Sequence, residues 1–229
     1  MVWFNCITAF RNLPDTTASD ASGGVSLFLV RSQRFRIARI LRIASGLTPV
    51  SVLGLYGTRY TLLGMEFGSL TDIVASGFGG GISISDLQES CSAIPKERGV
   101  YLVVRDVSTP PSFLQASTGA HLGGRDPSVS AEILKRCWVP NSKVLYVGKA
   151  GGTGQTTTLH GRLRSYMEYS LGMQRRHWGG RYIWQLADVR DLRVYWAVHP
   201  NEEPAHVESC LLKEFKRIYN YLPFANLRG

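Results

Sequence analysis

The sequence has no stretch of about 18 uncharged apolar residues, so no membrane-spanning helix is expected. Its first ten residues lack the basic lead-in and the small-residue cleavage pattern of a secretory signal. It has only four cysteines, and no two of them form a CxxC pair. Neither a zinc site nor a disulfide framework is therefore expected, and the sequence favours a cytoplasmic protein with no membrane association.

Common nucleotide-binding and hydrolase motifs are also missing. The glycine-rich run from Gly148 to Gly154 has neither the GxxxxGK[ST] spacing of a phosphate-binding loop nor the third glycine of a dinucleotide-binding motif. We interpret this run as a flexible turn. No GxSxG or HExxH motif occurs and the five histidines are dispersed, so nothing supports a serine hydrolase or a zinc protease.

Positive charge is abundant and unevenly distributed. The 229 residues carry 26 lysines and arginines against 17 acidic residues, a net charge of +9, which favours a polyanionic partner without identifying a site. Residues 1–64 hold seven arginines, no lysine and two acids. Within them, residues 31–45 alternate arginines with apolar residues. This pattern fits either a basic amphipathic helix for nucleic acid or membrane surfaces, or an extension that is poorly ordered or outside the functional domain. Residues 65–229 are long enough to form one domain.

Hydrophobic patterns after residue 65 predict a small α/β domain. Helices are expected from Ser85 until Pro95, over 132–137, over 158–171 and, most strongly, over 204–219. Strands are expected over 99–105, 143–148, 181–186 and 192–199, with a long loop over 107–130. This order indicates a short, mixed central sheet flanked by helices.

Glu208 is the most informative single residue. On a helical wheel it falls on the apolar face of its helix, beside Leu211 and Phe215. A carboxylate removed from water costs several kcal/mol (a rough figure) unless it is paired or binds a cation. The position therefore predicts either a cleft-edge or ion-paired carboxylate, or a metal ligand or catalytic acid.

Two tyrosines lie beside glycines in consecutive strands. Tyr101 ends the triplet Gly99-Val-Tyr101, and Tyr146 begins the triplet Tyr146-Val-Gly148. A glycine within a strand allows another backbone or a ligand to approach closely. Taken singly, each tyrosine fits a core position, and Arg162, at the border of the next helix's apolar face, fits a surface position.

Taken together, these residues resemble the GIY-YIG nuclease superfamily. The pattern is Gly99-Val-Tyr101, then Tyr146-Val-Gly148-Lys149, then Arg162 and Tyr166 on a helix, then Glu208, then Asn226. The resemblance spans roughly residues 85–228. One feature departs from the family: 44 residues separate Tyr101 from Tyr146, and many members have a much shorter segment there. An insertion between two strands can leave their pairing intact.

The resemblance implies a compact domain that hydrolyses phosphodiester bonds in DNA with Mg²⁺, or Mn²⁺, as cofactor. It implies that Glu208 is the metal ligand, with the cation held against a phosphate oxygen. Arg162 would neutralise the charge that develops on the phosphoryl oxygens. The rival hypothesis is a module on the same scaffold that binds nucleic acid or protein without cutting.

Roles for the other site residues follow from the same resemblance. Tyr101 would relay a proton from the attacking water, and Tyr146 would orient water or phosphate. Because a free tyrosine is a poor base at neutral pH, Lys149 or Arg162 would help to lower its pKa. Asn226 would contribute a hydrogen bond that fixes the site.

A separate basic segment is a candidate contact for nucleic acid. It mixes cationic and aromatic side chains, which suits phosphate contacts and base stacking; the candidates are Arg175, Arg176, Trp178 and Arg181. The alternative is a solvated loop whose tryptophan anchors the next strand.

Overall fold

The computed structural model describes residues 65–175 and 177–227. The predictions made for residues 1–64 and for Arg176 lie outside the described residues. No helix in the described part of the chain is long and apolar enough to cross a membrane.

Four strands form one antiparallel sheet. They are β1 (Gly79–Ser83), β2 (Gly99–Val104), β3 (Val144–Ala150) and β4 (Arg193–Val198), in the spatial order β1-β4-β2-β3. The α/β class is confirmed, but the prediction of a mixed sheet was wrong because all three described strand pairs are antiparallel. Strand β3 therefore lies at one edge of the sheet, and β1 at the other.

The described residues form five α-helices: α1 (Leu70–Ala75), α2 (Ile84–Glu89), α3 (Ala131–Cys137), α4 (Leu159–Ser170) and α5 (Pro204–Tyr219). The Thr158 side chain accepts a hydrogen bond from the Gly161 N–H and so caps the start of α4. Pro204 occupies the first turn of α5, where its missing N–H has no helical partner to lose. Both predicted long helices are confirmed.

One predicted strand was wrong. The segment predicted as a strand over 181–186 forms a short 3₁₀ helix, Arg181–Gln185, and a second one follows at Val189–Asp191. Gly180 precedes the first of these helices with φ of 77°. The chain turns at Gly180, and the Gly180 carbonyl accepts a hydrogen bond from the Ile183 N–H at 3.2 Å, which closes the first turn of the helix.

The sheet has an apolar core on each face. All six residues of β2 are buried. Alternate side chains point to opposite faces: Tyr101 and Val103 pack with the α4 side, whereas Val100 and Leu102 pack with the α5 side. Helices α4 and α5 thus cover opposite faces of the same two strands, and both lie near the edge strand β3.

The long segment between the two tyrosines leaves the β2–β3 pairing intact. Its residues turn back on the 3₁₀ region: Leu114 N–H donates to the Gln185 carbonyl at 2.8 Å, and Ala120 N–H donates to the Tyr169 carbonyl at 3.0 Å. The buried Gln185 side chain also bonds to both backbone groups of Val129. The insertion therefore packs over the α4 face and does not separate the strands.

Candidate active site

Tyr101 crosses strand β3 at a glycine. The antiparallel register places Tyr101 opposite Gly148. The Tyr101 ring is fully buried, and a Cβ added to Gly148 would lie 2.6 Å from the Tyr101 hydroxyl oxygen. The absence of a side chain at residue 148 is what lets the Tyr101 hydroxyl reach the edge strand.

Tyr146 lies beside Tyr101 on the same face. Tyr146 pairs with Val103, two residues along β2 from Tyr101, and the two tyrosine ring centroids are 6.0 Å apart. A register shift between Val103 and Val104 leaves Leu145 as an extra residue in β3. The pairing is regular from Gly148 to Tyr146, so strand alternation places Tyr146 on the Tyr101 face, and the bulge lies beyond it.

Helix α4 contributes Arg162. Its side chain is partly buried, and no carboxylate in the described part of the chain forms an ion pair with it. Burial raises the pKa of the Tyr101 hydroxyl, and the Arg162 guanidinium opposes this effect. The Tyr101 hydroxyl makes no hydrogen bond of good geometry with described residues, although Arg162 and Tyr146 lie close enough to lower its pKa.

The tyrosines of the site are held in the neutral form. Burial raises the pKa of Tyr146 well above its ordinary value, and the neighbouring Tyr101 adds to the rise. Burial has the same effect on the pKa of Tyr166. The Tyr166 hydroxyl donates to the Gly180 carbonyl at 2.8 Å. At neutral pH these phenols are hydrogen-bond donors and not tyrosinate bases.

Lys149 and Glu208 approach from the other face of the sheet. Lys149 pairs with Val100, so it points to the α5 side of β3. Its Nζ lies 2.8 Å from Glu208 Oε2, with both side chains partly exposed. The site thus straddles the free edge of β3, with the tyrosines and Arg162 on one side and this ion pair on the other.

Glu208 occupies the border of the buried face of α5 rather than its centre. The buried residues of the helix include Val207, Leu211 and Phe215, while the Glu208 side chain is 21% exposed. The more deeply buried carboxylate of this helix is Glu214, which is paired with Arg217. Both the cleft-edge exposure and the ion pair considered for Glu208 are therefore observed.

Two adjoining clefts meet at this edge. A smaller cleft of about 220 Å³ is lined by Tyr146, Lys149, Arg162 and Glu208, together with the turn after β3. A larger cleft of about 840 Å³ shares Tyr146 and Glu208 with it. The larger cleft extends past Trp178 and Arg181 to the C-terminal segment.

Asn226 takes the place of a neighbouring strand. Its Oδ1 accepts from the Val147 N–H at 2.9 Å, and its Nδ2 donates to the Val147 carbonyl at 2.8 Å. These two bonds fix the C-terminal segment to the free edge of β3, next to Tyr146. Asn226 lines the larger cleft.

The candidate nucleic-acid contacts separate in space. Trp178 and Arg181 line the larger cleft. Arg175 instead pairs with Glu168, which also binds Arg164, and it is not among the residues lining either cleft.

Two neighbours of the site were not predicted in the roles that the structure gives them. His177 belongs to the basic segment considered for nucleic-acid contact, but it is buried against Tyr166, and burial together with the nearby Arg162 lowers its pKa to about 3. Glu203 accepts hydrogen bonds from the Thr153 N–H and hydroxyl, so it holds the glycine-rich turn beside the smaller cleft. No sequence signal marked Glu203, because its partner is 50 residues away in the chain.

The residues of the site fit a cation whose remaining ligands are water and a substrate phosphate. Within residues 65–175 and 177–227, no three His, Cys, Asp or Glu side chains come together as ligands. A complete protein cage is therefore absent there. Mg²⁺ retains waters and is commonly held by one or two carboxylates plus substrate phosphate, and Glu208 can serve as such a ligand.

Comparison with known proteins gives no match to a family model, to a curated protein or to a solved structure.

Proposed function

We propose that this chain is a metal-dependent endonuclease that hydrolyses phosphodiester bonds in DNA, with a GIY-YIG-type site. The observation that carries the proposal is the composition of the smaller cleft. It combines an arginine that forms no ion pair with a described carboxylate, a neutral tyrosine and a carboxylate, drawn from α4, β3 and α5. These groups offer complementary contacts to a phosphodiester and to a cation bound beside it.

Arg162 is suited to the phosphate. A planar guanidinium binds two phosphoryl oxygens at once and stabilises the charge that develops as the phosphorus is attacked. Because no described carboxylate neutralises Arg162, its charge is available to an anion that enters the cleft. Lys149 adds a second positive charge at the cleft wall.

Tyr101 and Tyr146 act as neutral donors. The raised pKa of each phenol argues against a stored tyrosinate base. A neutral phenol can still relay a proton, because it accepts one from the attacking water while passing its own to a phosphate oxygen. Tyr146 lines both clefts, so it would orient the water or the phosphate directly. The Tyr101 hydroxyl is buried and lines neither cleft, so Tyr101 would assist the attack only through its neighbours Tyr146 and Arg162.

Glu208 is the residue that would hold the cation. When bound by Glu208, Mg²⁺ or Mn²⁺ would supply positive charge that stabilises the phosphate. Lys149 pairs with Glu208 in the structure, so cation binding and this ion pair compete for the same carboxylate oxygen. The pair is partly exposed, and its loss costs about 1 kcal/mol or less.

The test is cleavage by the Glu208→Gln variant. Purified protein is incubated with Mg²⁺ or Mn²⁺ and with single-stranded, duplex, branched and flapped DNA. Wild type is expected to cleave at least one of them, and Glu208→Gln is expected to lose cleavage while melting within a few degrees of wild type. The rise in melting temperature caused by Mg²⁺ should shrink in the variant, since a ligand stabilises only the state that it binds.

Glu89→Gln provides the matched control. Glu89 is an exposed carboxylate at the end of α2, away from both clefts. The control is expected to retain both cleavage and the response to Mg²⁺. Wild-type protein that binds DNA but cuts no substrate with either metal would refute the nuclease proposal and favour the binding module.

A further inference from the structure

The larger cleft has a surface that the cleavage chemistry does not use. It opens from Tyr146 and Glu208 and holds about 840 Å³, within the range of about 300–1,000 Å³ typical of pockets for small molecules. We call it the Trp178 cleft, after the aromatic side chain in its wall. Its lining has two arginines, Arg136 and Arg181, and a single carboxylate, Glu208. Apart from its junction with the smaller cleft, the lining is therefore positive.

Two guanidinium groups lie close to the Trp178 ring. The Arg125 Cζ is 5.3 Å from the Trp178 ring and the Arg181 Cζ is 4.7 Å from it. Arg181 also lies 4.9 Å from the Tyr182 ring, and its Nε is buried without a hydrogen-bond partner in the described part of the chain. The wall of the cleft at Trp178 thus combines aromatic rings with cationic side chains.

The C-terminal segment adds aromatic and apolar side chains to the cleft. Tyr221 is 66% exposed and Leu227 is 37% exposed, and both line the cleft. Large exposed hydrophobic side chains that face a basic cleft mark a binding surface. Planar aromatic groups can stack on the faces of a nucleobase, and the two arginines can bind the phosphates of the nucleotide.

We propose that the Trp178 cleft receives an unpaired nucleotide next to the scissile phosphate. This inference rests on the proposed function, because it places the scissile phosphate in the smaller cleft. A base within a duplex is stacked on both faces and cannot lie against Trp178 unless it leaves the helix. The substrate class is therefore nucleic acid with a single-stranded or extruded nucleotide at the cut, and not an uninterrupted duplex.

Binding without metal tests this inference separately from cleavage. Fluorescence anisotropy in EDTA measures the Kd for a labelled single strand, for a blunt duplex of the same sequence, and for the same duplex with a single-stranded overhang. The single strand and the overhang are expected to bind at least several-fold more tightly than the blunt duplex. Trp178→Ala is expected to weaken the binding of unpaired DNA about tenfold and to leave blunt-duplex binding nearly unchanged.

Two variants control for charge and shape. Trp178→Phe keeps an aromatic face and is expected to retain most of the affinity. Arg164→Ala removes an exposed charge of α4 that lies outside both clefts, so its effect should be equal for paired and unpaired DNA. Thermal melting checks that each variant is folded.

If Trp178→Ala does not fold, a fluorescent base in the DNA tests the inference with wild-type protein. 2-Aminopurine is placed at successive positions of the overhang, one position in each substrate. Addition of the protein is expected to quench its fluorescence most strongly when 2-aminopurine is the nucleotide beside the junction. Equal Kd values for blunt duplex and single strand, or position-independent quenching, would overturn the inference. If wild-type protein prefers unpaired DNA but cleaves no substrate, only the proposed function is refuted.

Discussion

The Tyr101 hydroxyl passes over strand β3 at Gly148, where a Cβ would lie 2.6 Å from the hydroxyl oxygen. This spacing leaves no room for a methyl group unless the tyrosine ring or the strand moves. Tyr101 is fully buried, so its ring has little space into which it can shift. Gly148, in the second triplet, thus determines where the hydroxyl of Tyr101, in the first triplet, lies.

Gly148→Ala is therefore expected to damage both stability and catalysis. Overpacking of this kind costs about 1–3 kcal/mol of unfolding free energy. Displacement of a catalytic group by about 1 Å can lower turnover by about a hundredfold. Chemical denaturation and the cleavage rate measure the two effects.

Gly161→Ala is the matched control for Gly148→Ala. Gly161 is an exposed residue of α4, and a Cβ there would meet only the Thr158 hydroxyl, at 3.5 Å. Because alanine favours helix over glycine, this variant is expected to gain about 0.5–1 kcal/mol. Equal activity of the two variants would show that Gly148 does not position Tyr101.

Elements with strong periodicity were predictable from the sequence. Helix α5 has its apolar residues at helical spacing and an early proline, so its predicted bounds match the observed Pro204–Tyr219. Strand β2 consists of β-branched and aromatic residues, and it was also predicted to within one residue. Local propensity and tertiary packing agree at these positions.

Elements that depend on distant partners were not predictable. Strand β1 has the sequence GGGIS, which has low strand propensity, and it forms because it pairs with β4. The segment Arg181–Gln185 is rich in aromatic and β-branched residues, as strands are, but its residues pack against α4 as a 3₁₀ helix. Tertiary contacts decided both outcomes.

The candidate site was also only partly predictable from the sequence. The order of its residues indicated which side chains belong together, but not that they straddle a sheet edge. The helical wheel placed Glu208 within the apolar face, and the buried face is centred nearer Leu211 because the sheet edge leaves Glu208 beside a cleft. The partner of Glu208, Lys149, lies on another element, and a wheel of one helix cannot show it.

His177 is expected to make the protein sensitive to acid. Its pKa is lowered to about 3, mainly by burial, from an ordinary value near 6.5. Between these values the unfolded chain binds a proton that the folded chain does not, so the unfolding free energy falls as the pH decreases from about 6.5. The decrease is at most about 1.4 kcal/mol per pH unit. Denaturation curves between pH 7 and pH 4.5 measure it, above the range in which most carboxylates titrate.

Replacing the histidine should remove this part of the pH dependence. His177→Gln is expected to show a flatter profile between pH 6.5 and pH 4.5. His206→Gln, which changes an exposed histidine of α5, is expected to retain the wild-type slope. Parallel profiles for wild type and His177→Gln would show that His177 is not held neutral in the folded protein.

Asn226 is positioned to support the site without touching the reacting groups. Its side-chain amide makes both hydrogen bonds that an additional strand would make to Val147. The adjacent Ala225 N–H donates to the Leu145 carbonyl at 2.8 Å. Together these bonds attach the C-terminal segment to the edge strand that bears Tyr146 and Lys149, and they leave the central part of that edge paired.

Asn226→Asp is expected to break one of the two bonds while keeping the shape of the side chain. The carboxylate can still accept from the Val147 N–H, but it places negative charge against the Val147 carbonyl, which loses its donor. Leaving that carbonyl unpaired costs about 1–3 kcal/mol of unfolding free energy, and cleavage should fall because Tyr146 lies beside Val147.

Asn201→Asp, at an exposed position outside both clefts, is expected to change stability by less than about 0.5 kcal/mol. Denaturation and cleavage assays on both variants measure the difference. Wild-type stability and turnover in Asn226→Asp would mean that the C-terminal segment does not hold the edge of the sheet.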